Sequence, residues 1–515
     1  MNSSQRPLSF PDSIPAKVDR PDQFSDGIVI LGGGLCGLLL AHELARLAAS
    51  RLGADAPRIW VIESPCGEVA RRDQQRPVRW LRLLGGEADY QYRTQPADAL
   101  AGRSIPWPRG KGLGGSGRIN SMIWFPPTAA EIRSLATFLV SKQSPNDNRL
   151  IGDSPTDAEQ QLQRAFDRSR QIIRPEQARW LSPTSEAFLK AVSGRISGDF
   201  AAYDRLNRNG RRWTAVDAIA DLCQSNAVAA NRIRVVRAQV SSLEINDGVV
   251  AGIRWSDGRT SLIANDAEVV SSLGAIASPT LLHRSGLTNP QIGENLHDHL
   301  IMPVVHSHDG PAFSDSSSDM TALAQWQHAG RGPIACNVAE CGGLDESHRW
   351  QLHVTPTDYL RFPNDTRRPA MTIGVNVTRP HSRGRLDWTP DETLIDAGYW
   401  NDDRDRVGLL DGVRWVRELV QQSGFDRRLR SEMIPGAKRQ TDEAITAAMA
   451  RYSQTLYHPA GTCALGSVVD SNFRVRGITN LSVVDASLLP EPTTGNPTAT
   501  LAMLACYAAT QLVRQ

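Results

Sequence analysis

The sequence predicts an α/β fold built on a parallel sheet, and three observations near the start of its 515 residues carry that expectation. Ile28-Val29-Ile30-Leu31 is a short β-branched run ending in glycines, as a buried strand does. Leu38 to Ala49 follows as an alanine- and leucine-rich helix. Ile59-Trp60-Val61-Ile62 then reads as a second strand. A strand, a helix and a strand in succession place their strands in parallel, with the helix across one face.

Between the first strand and the helix stands Gly32-Gly33-Gly34-Leu35-Cys36-Gly37, which fits G-x-G-x-x-G. Gly32 permits the tight turn, Gly34 lets backbone approach a pyrophosphate, and Gly37 lets helix and sheet pack closely. The helix N-terminus adds free N–H groups and a positive dipole end. Glu63 ends the second strand, where a carboxylate can accept hydrogen bonds from ribose hydroxyls. It lies 26 positions beyond Gly37, and Ser50 to Pro57 reads as the extra length. This Rossmann-like unit predicts a bound dinucleotide and does not by itself separate FAD from NAD.

Later elements follow the same logic. Pro126 to about Ile173 is polar and helical in character. Ile233 to Ile245 and Val249 to Trp255 read as strands joined by an Asn246-Asp247-Gly248 hairpin turn. Pro303 to about Thr389 is mixed, with strand-like pieces at Gln351 to Thr355 and Met371 to Val377. Asp405 to Gln422 and Thr441 to Ala450 read as helices, Ser482 to Val484 as a last strand, and Thr498 to Leu512 as a last helix. There is no internal repeat, and Asp315 to Ser318 is the one low-complexity stretch.

Composition excludes several function classes. The 57 basic and 55 acidic side chains nearly cancel, so nothing electrostatic points to nucleic acid or an anionic membrane. The start, Met1 to Phe24, is polar and Pro-rich, so no secretory signal is expected there, and no run approaches the roughly 20 apolar residues of a spanning helix. The seven scattered cysteines fit reduced thiols in a cytoplasmic enzyme, and no pair of CxxC motifs suggests a metal.

A second glycine-rich segment runs from Pro108 to Asn120, and its exposed N–H groups suit an anion-binding nest. Here the chain resembles the glucose–methanol–choline (GMC) oxidoreductases, which are FAD enzymes. Pro108-Arg109-Gly110 through Leu113-Gly114-Gly115-Ser116 to Asn120 matches the family's first signature. Gly274 to Leu282 with Ser285-Gly286-Leu287 matches the second. Ile292 to His299, Pro380 to Arg385, His458 to Cys463, Val484 to Ser487 and Gly495-Asn496-Pro497 follow in family order.

The resemblance implies the site. Gly114, Gly115, Ser116 and Asn120 would lie along the pyrophosphate and flavin, Val240 at the adenine, and Asp485 and Ala486 beside the ribityl chain and pyrophosphate. His458 matches the family's catalytic histidine and Asn496 its partner, 38 positions on. A histidine suits removal of the hydroxyl proton, and an amide can orient the oxygen. Some relatives bond the flavin to a histidine just before the Asn120 position; Ile119 stands here, so non-covalent FAD is expected. His297 and His299 flank Asp298 and read as part of a structural turn. Glu340 sits where some choline-oxidising relatives carry a glutamate near the substrate, but no aromatic set would cage a quaternary ammonium.

The expected architecture is a Rossmann-like FAD-binding domain (24–125, 185–300 and 455–515) interleaved with an α+β substrate domain (126–184 and 301–454) on an antiparallel sheet. The expected reaction is oxidation of a primary or secondary alcohol to a carbonyl, with oxygen, a quinone or a redox protein as electron acceptor. The alternatives are a flavin-containing lyase or photodecarboxylase of the same family, or a flavin-binding protein without activity. Two segments depart from the family: the short Thr288 to Ile292 connection, and Pro126-Pro127 with the polar Thr128 to Asp147. Both border the substrate entrance or flavin-side loops in relatives, so an unusual pocket is expected.

Overall fold

The computed structural model describes residues 17–51, 57–66, 71–141, 154–314 and 318–513. Outside them lie 1–16 of the polar start, 52–56 of the extra length before the second strand, 142–147 of the polar segment after Pro127, and 315–317 of the low-complexity stretch.

The opening unit forms as its pattern requires. Ile28–Leu31 and Ile59–Glu63 pair in parallel, from Ile28 opposite Ile59 to Leu31 opposite Ile62, and the helix Leu35–Arg51 connects them. All four residues of the first strand are buried, so the run is apolar throughout rather than alternating. The helix begins at Leu35 rather than Leu38 because the Leu38 N–H already donates to the Gly34 carbonyl. The parallel sheet has the order Lys17–Val18, Ile233–Arg237, Ile59–Glu63, Ile28–Leu31, Glu268–Ser271, Leu481–Val483 among the described residues. Start, middle and end of the chain all contribute strands.

The run from Ile233 to Ile245, expected as one strand, divides at Ala238-Gln239. Ile233–Arg237 stays in the parallel sheet, whereas Val240–Asn246 enters a four-stranded sheet with Val249–Trp255, Thr260–Ile263 and Gln23–Phe24. The Ala238 N–H donates to the Glu63 carbonyl, and the Gln239 carbonyl accepts from the Ser256 N–H, so two residues hand the chain between sheets. Neither is Gly or Pro, which is why no break was legible. The hairpin forms: Asn246 pairs with Val249, and Asp247 and Gly248 have φ of +49° and +76°, as a type I′ turn demands.

A second sheet is antiparallel. Its order is Leu429–Ile434, Leu300–His308, Ala370–Val377, Trp350–Thr355, Cys341–Asp345, Gly198–Ala202, with Gln454–Thr455 beside Leu300–His308. Met302, Val304, Leu352, Val354, Ile373 and Val375 share one face, buried in a cluster with Leu409, Leu410, Val413 and Val416 of the helix Asp403–Gln422. Period-two alternation sends Gln351, His353 and Asn376 to the opposite face.

Two segments bear on where the chain passes between the sheets. Gly198–Ala202 pairs with Cys341–Asp345, and Phe188 of the helix Pro183–Val192 packs edge-on against Phe425, so 185–202 belongs with the antiparallel sheet. Conversely, the helix Pro155–Ile173 packs on Thr498–Leu512, and its Arg168 is paired at 2.8 Å with Glu43 of Leu35–Arg51. The helices within 126–184 therefore lie on the parallel-sheet side. The polar sequence of Pro155–Ile173 reflects an outer layer with one buried stripe, Ala158, Leu162, Ala165 and Ile172.

Candidate active site

The two glycine loops touch. Gly114 N–H donates to the Gly33 carbonyl at 2.7 Å, and a Cβ on Gly115 would stand 2.8 Å from the Gly34 Cα. Gly32 has φ of +105°, and a Cβ on Gly37 would meet the Gly32 carbonyl oxygen at 2.0 Å, so both positions exclude a side chain. In front of Gly34 a Cβ would meet nothing within 4 Å. The turn is closed by protein on one side and open on the other, at the N-terminus of a 17-residue helix.

Glu63 closes the first loop. One carboxylate oxygen accepts from Gly33 N–H at 2.7 Å and the other from Ser64 N–H at 2.8 Å. Burial raises its carboxyl above the usual range, and those amides oppose the rise. Asp485 stands across the site, accepting from Gly274 N–H, Ser278 Oγ, and both Ser487 N–H and Oγ. These bonds tie the turn after Leu481–Val483 to the start of the helix Gly274–Arg284.

Gly32, Gly34, Glu63, Gly114, Gly115, Ser116, Asn120, Asp485, Ala486, His458 and Asn496 line one cavity. Gly37 lies beneath it as a packing glycine, and Val240 begins its strand outside the lining. Open backbone at Gly34, amides at a helix N-terminus, a carboxylate at one end and a histidine–amide pair at the other fit a dinucleotide that carries a reactive ring.

The histidine end is a hydrogen-bonded chain. Asn496 Nδ2 and His458 Nε2 are 3.1 Å apart, and His458 Nδ1 and His299 Nδ1 are 3.0 Å apart. His299 Nε2 faces two carbonyl oxygens, Thr378 at 2.8 Å and Thr493 at 3.0 Å, so Nε2 carries the proton. Burial pushes the His299 pKa down, and the neutral ring presents a bare Nδ1. His458 must then donate from Nδ1, which leaves its Nε2 bare and accepting from Asn496. Burial, with His299, His353 and Arg109 nearby, holds His458 well below the ordinary histidine pKa. A neutral imidazole with an unprotonated Nε2 at a cavity, held only by an amide N–H, is a proton acceptor in waiting.

Asp298 holds this histidine by its backbone. It accepts from His458 N–H at 2.7 Å, from Thr455 Oγ1 at 2.6 Å, and from the Tyr399 hydroxyl. Tyr457 takes φ of +67°, a strained value for a non-glycine residue, with its N–H on Thr455 Oγ1 and its carbonyl on Arg109. The expected structural turn at His297–His299 is thus part of the site's frame.

Some contributors were not legible in the sequence. Arg212 is buried and donates to Gln74 O, Gly117 O, Asn120 O and Asn120 Oδ1, clamping the second glycine loop. No motif marks it. Glu340, by contrast, is fully buried away from the cavity, accepting from Ser182 N–H, Ser182 Oγ and Ser185 Oγ at the start of Pro183–Val192. Among the described residues, no group of three or more His, Cys, Asp or Glu side chains is placed to hold a metal, and no helix is long and apolar enough to cross a membrane.

The buried histidines predict an acid-sensitive fold. Burial lowers His297 and His353 from 6.5 to about 3. The unfolded chain then binds more protons than the folded one below pH 6.5. The stability these neutral rings contribute is whole above that pH and drains as pH falls toward 3, by up to about 1.4 kcal/mol per pH unit for each. Urea unfolding between pH 7 and pH 4 is expected to show this slope, and a flat profile would refute it.

Comparison with known proteins agrees with the geometry. The profile of the GMC oxidoreductase family matches residues 158–301 with its N-terminal part and 380–505 with its C-terminal part. An alcohol dehydrogenase (acceptor) of Pseudomonas putida is 28% identical, with 95% of each chain covered. An oxygen-dependent choline dehydrogenase of Escherichia coli is 27% identical over 92% of this chain and 93% of its own. Pyridoxine 4-oxidase from Mesorbium loti shares the fold with a TM-score of 0.76 at 22% identity, covering 95% of this chain and 99% of that one. A formate oxidase variant of Aspergillus oryzae does so with a TM-score of 0.78 at 19% identity, covering 96% and 99%. With two glycine loops meeting at one cavity and the family profile spanning more than half its length, the chain belongs to the GMC oxidoreductases and is an FAD-dependent enzyme.

Proposed function

We propose that this enzyme oxidises a primary or secondary alcohol to a carbonyl, with His458 as the general base and Asn496 orienting the hydroxyl oxygen. The observation that carries the reading is the bare Nε2 of His458, set by the chain through His299 and facing the cavity beside Asn496. When bound, FAD supplies the hydride acceptor. The chain's own part is the proton. His458 Nε2 accepts it from the alcohol hydroxyl, while an Asn496 Nδ2 hydrogen donates to the oxygen as negative charge develops there. The name of one relative, alcohol dehydrogenase, supports the substrate class. Glu340 is engaged by two serines, which leaves no carboxylate from that segment for a quaternary ammonium.

In this reading Gly32, Gly34 and the following helix hold the pyrophosphate above the packing glycine Gly37, and Glu63 holds the ribose. Val240 serves the adenine, since Ala238 is bonded to the Glu63 carbonyl two residues before it. Gly114, Gly115, Ser116, Asn120, Asp485 and Ala486 hold the rest. Among the described residues, the FAD-binding part then comprises those within 24–184, 204–300 and 455–513, and the substrate part those within 185–203 and 301–454. Aligning an alcohol panel with the enzyme under anaerobic conditions tests the reaction: bleaching of the flavin absorbance is expected, and a flavin left oxidised by every alcohol would sink it.

Attachment of the flavin is non-covalent here. Ile119 is 3% exposed and packs with Leu83 and Ala88 at the cavity wall, and an alkyl side chain offers no nucleophile to the ring. Acid precipitation is expected to release the yellow colour into the supernatant. Flavin retained in the washed pellet would overturn this.

A further inference from the structure

Asn496 has two chemically opposite ends, and the reading above needs its N–H end toward His458. His458 alone enforces that only while Nε2 is bare. Once Nε2 holds a proton it attracts the amide oxygen instead, and a flipped amide would turn an acceptor toward the developing alkoxide.

A second residue opposes the flip. Gln351 lies on the central strand Trp350–Thr355, on the face opposite the apolar cluster, directly across from Asn376. Its Nε2 donates to Asn496 Oδ1 at 3.3 Å, across 145 positions of sequence. The side chain is fully buried, and its Oε1 has no hydrogen-bond partner among the described residues. The strand takes apolar side chains at Leu352 and Val354, on the face opposite to that of Gln351, His353 and Asn376. A buried, half-satisfied amide costs free energy relative to such a residue, so packing does not account for it.

We propose that Gln351 is a positioning residue that locks the Asn496 amide with Nδ2 toward His458 and the substrate oxygen. The inference rests on the roles given above to His458 and Asn496. It acts through Asn496 and does not itself touch the substrate.

The test uses FAD-loaded wild type, Gln351→Leu and Gln351→Glu. Two readouts are taken: the histidine ¹⁵N titration, with His458 assigned by the signal lost in His458→Gln, and anaerobic flavin reduction by alcohol. In Gln351→Leu the His458 protonation midpoint is expected to rise by about one pH unit, because a flipped amide oxygen favours the protonated ring. The reduction rate is expected to fall roughly 10–100-fold, the scale of a misplaced catalytic group, with KM within about threefold. Gln351→Glu is isosteric. Ionised, it accepts from Nδ2 and forces the flip; protonated, it donates to Oδ1 and restores the wild-type orientation. Its rate is therefore expected to recover on acidification, toward wild type, where Gln351→Leu does not. A His458 titration unchanged in both variants, or a pH response shared by both, would overturn the proposal. If no alcohol reduces the wild-type flavin, the reaction assigned above fails while the titration still decides the role of Gln351. Should Gln351→Leu not fold, the isosteric variant decides alone.

Discussion

Replacing His458 by Gln is expected to slow anaerobic flavin reduction by alcohol about 10²–10⁴-fold, the contribution of a positioned general base. Glutamine keeps a polar side chain beside Asn496 but cannot accept a proton at neutral pH. Flavin content is expected to hold, because the FAD-side contacts come from the glycine loops and Asp485. The pH profile gives a second check. Burial and the neighbouring His299, His353 and Arg109 depress the His458 pKa, so the acid limb of kcat/KM in the wild type should lie below pH 6.5. That limb should vanish in the variant. A reduction rate unchanged in His458→Gln would remove the residue from the mechanism.

Replacing Arg212 by Met is expected to empty the cofactor site. The substitution keeps an unbranched side chain and deletes four hydrogen bonds, leaving Gln74 O, Gly117 O and both oxygens of Asn120 without this donor. Gln74 O is the buried acceptor among them, and orphaning it costs about 1–3 kcal/mol, whereas Gly117 O and the Asn120 oxygens are only partly buried and Asn120 Oδ1 keeps the Met122 N–H. The lone guanidinium also carries a desolvation penalty, visible in a pKa pushed down to about 9, which the variant sheds. The net loss is thus nearer one such cost than four, against a total stability of about 5–15 kcal/mol. Its effect falls on Gly117 and Asn120, the end of the second glycine loop. The ratio of FAD to protein after gel filtration should collapse, and added FAD should raise Tm far less than in the wild type. Arg212→Lys should recover part of the loss, since an ammonium has three donors but no planar fork. Full flavin content in Arg212→Met would show that the clamp is dispensable.

Local features were readable because their cause is local. The run Ile28–Leu31, the glycines at 32, 34 and 37 and the helix behind them form one contiguous piece, and the hairpin at Asn246–Gly248 needs only two residues with positive φ. The break at Ala238-Gln239 was not readable, because it answers to the Glu63 carbonyl and the Ser256 amide on other strands. The same holds for 126–184: its polarity marks an outer layer, and only the Arg168–Glu43 pair and the packing on Thr498–Leu512 say which sheet it covers.

By itself, then, the sequence determined the βαβ opening and the two glycine loops, since each rests on residue types at short fixed spacing, whereas His458 and Asn496, 38 positions apart, stood out only through the resemblance of their blocks to a family. Tertiary structure decided that the two loops touch at Gly33 and Gly114, that His458 presents Nε2 rather than Nδ1, and that Asn496 is held from its far side. Those choices belong to partners distant in the chain: His299 is 159 positions from His458, and Gln351 is 145 from Asn496. A tautomer or an amide orientation is set by whichever donor or acceptor the fold places opposite it, and no spacing within a motif contains that partner.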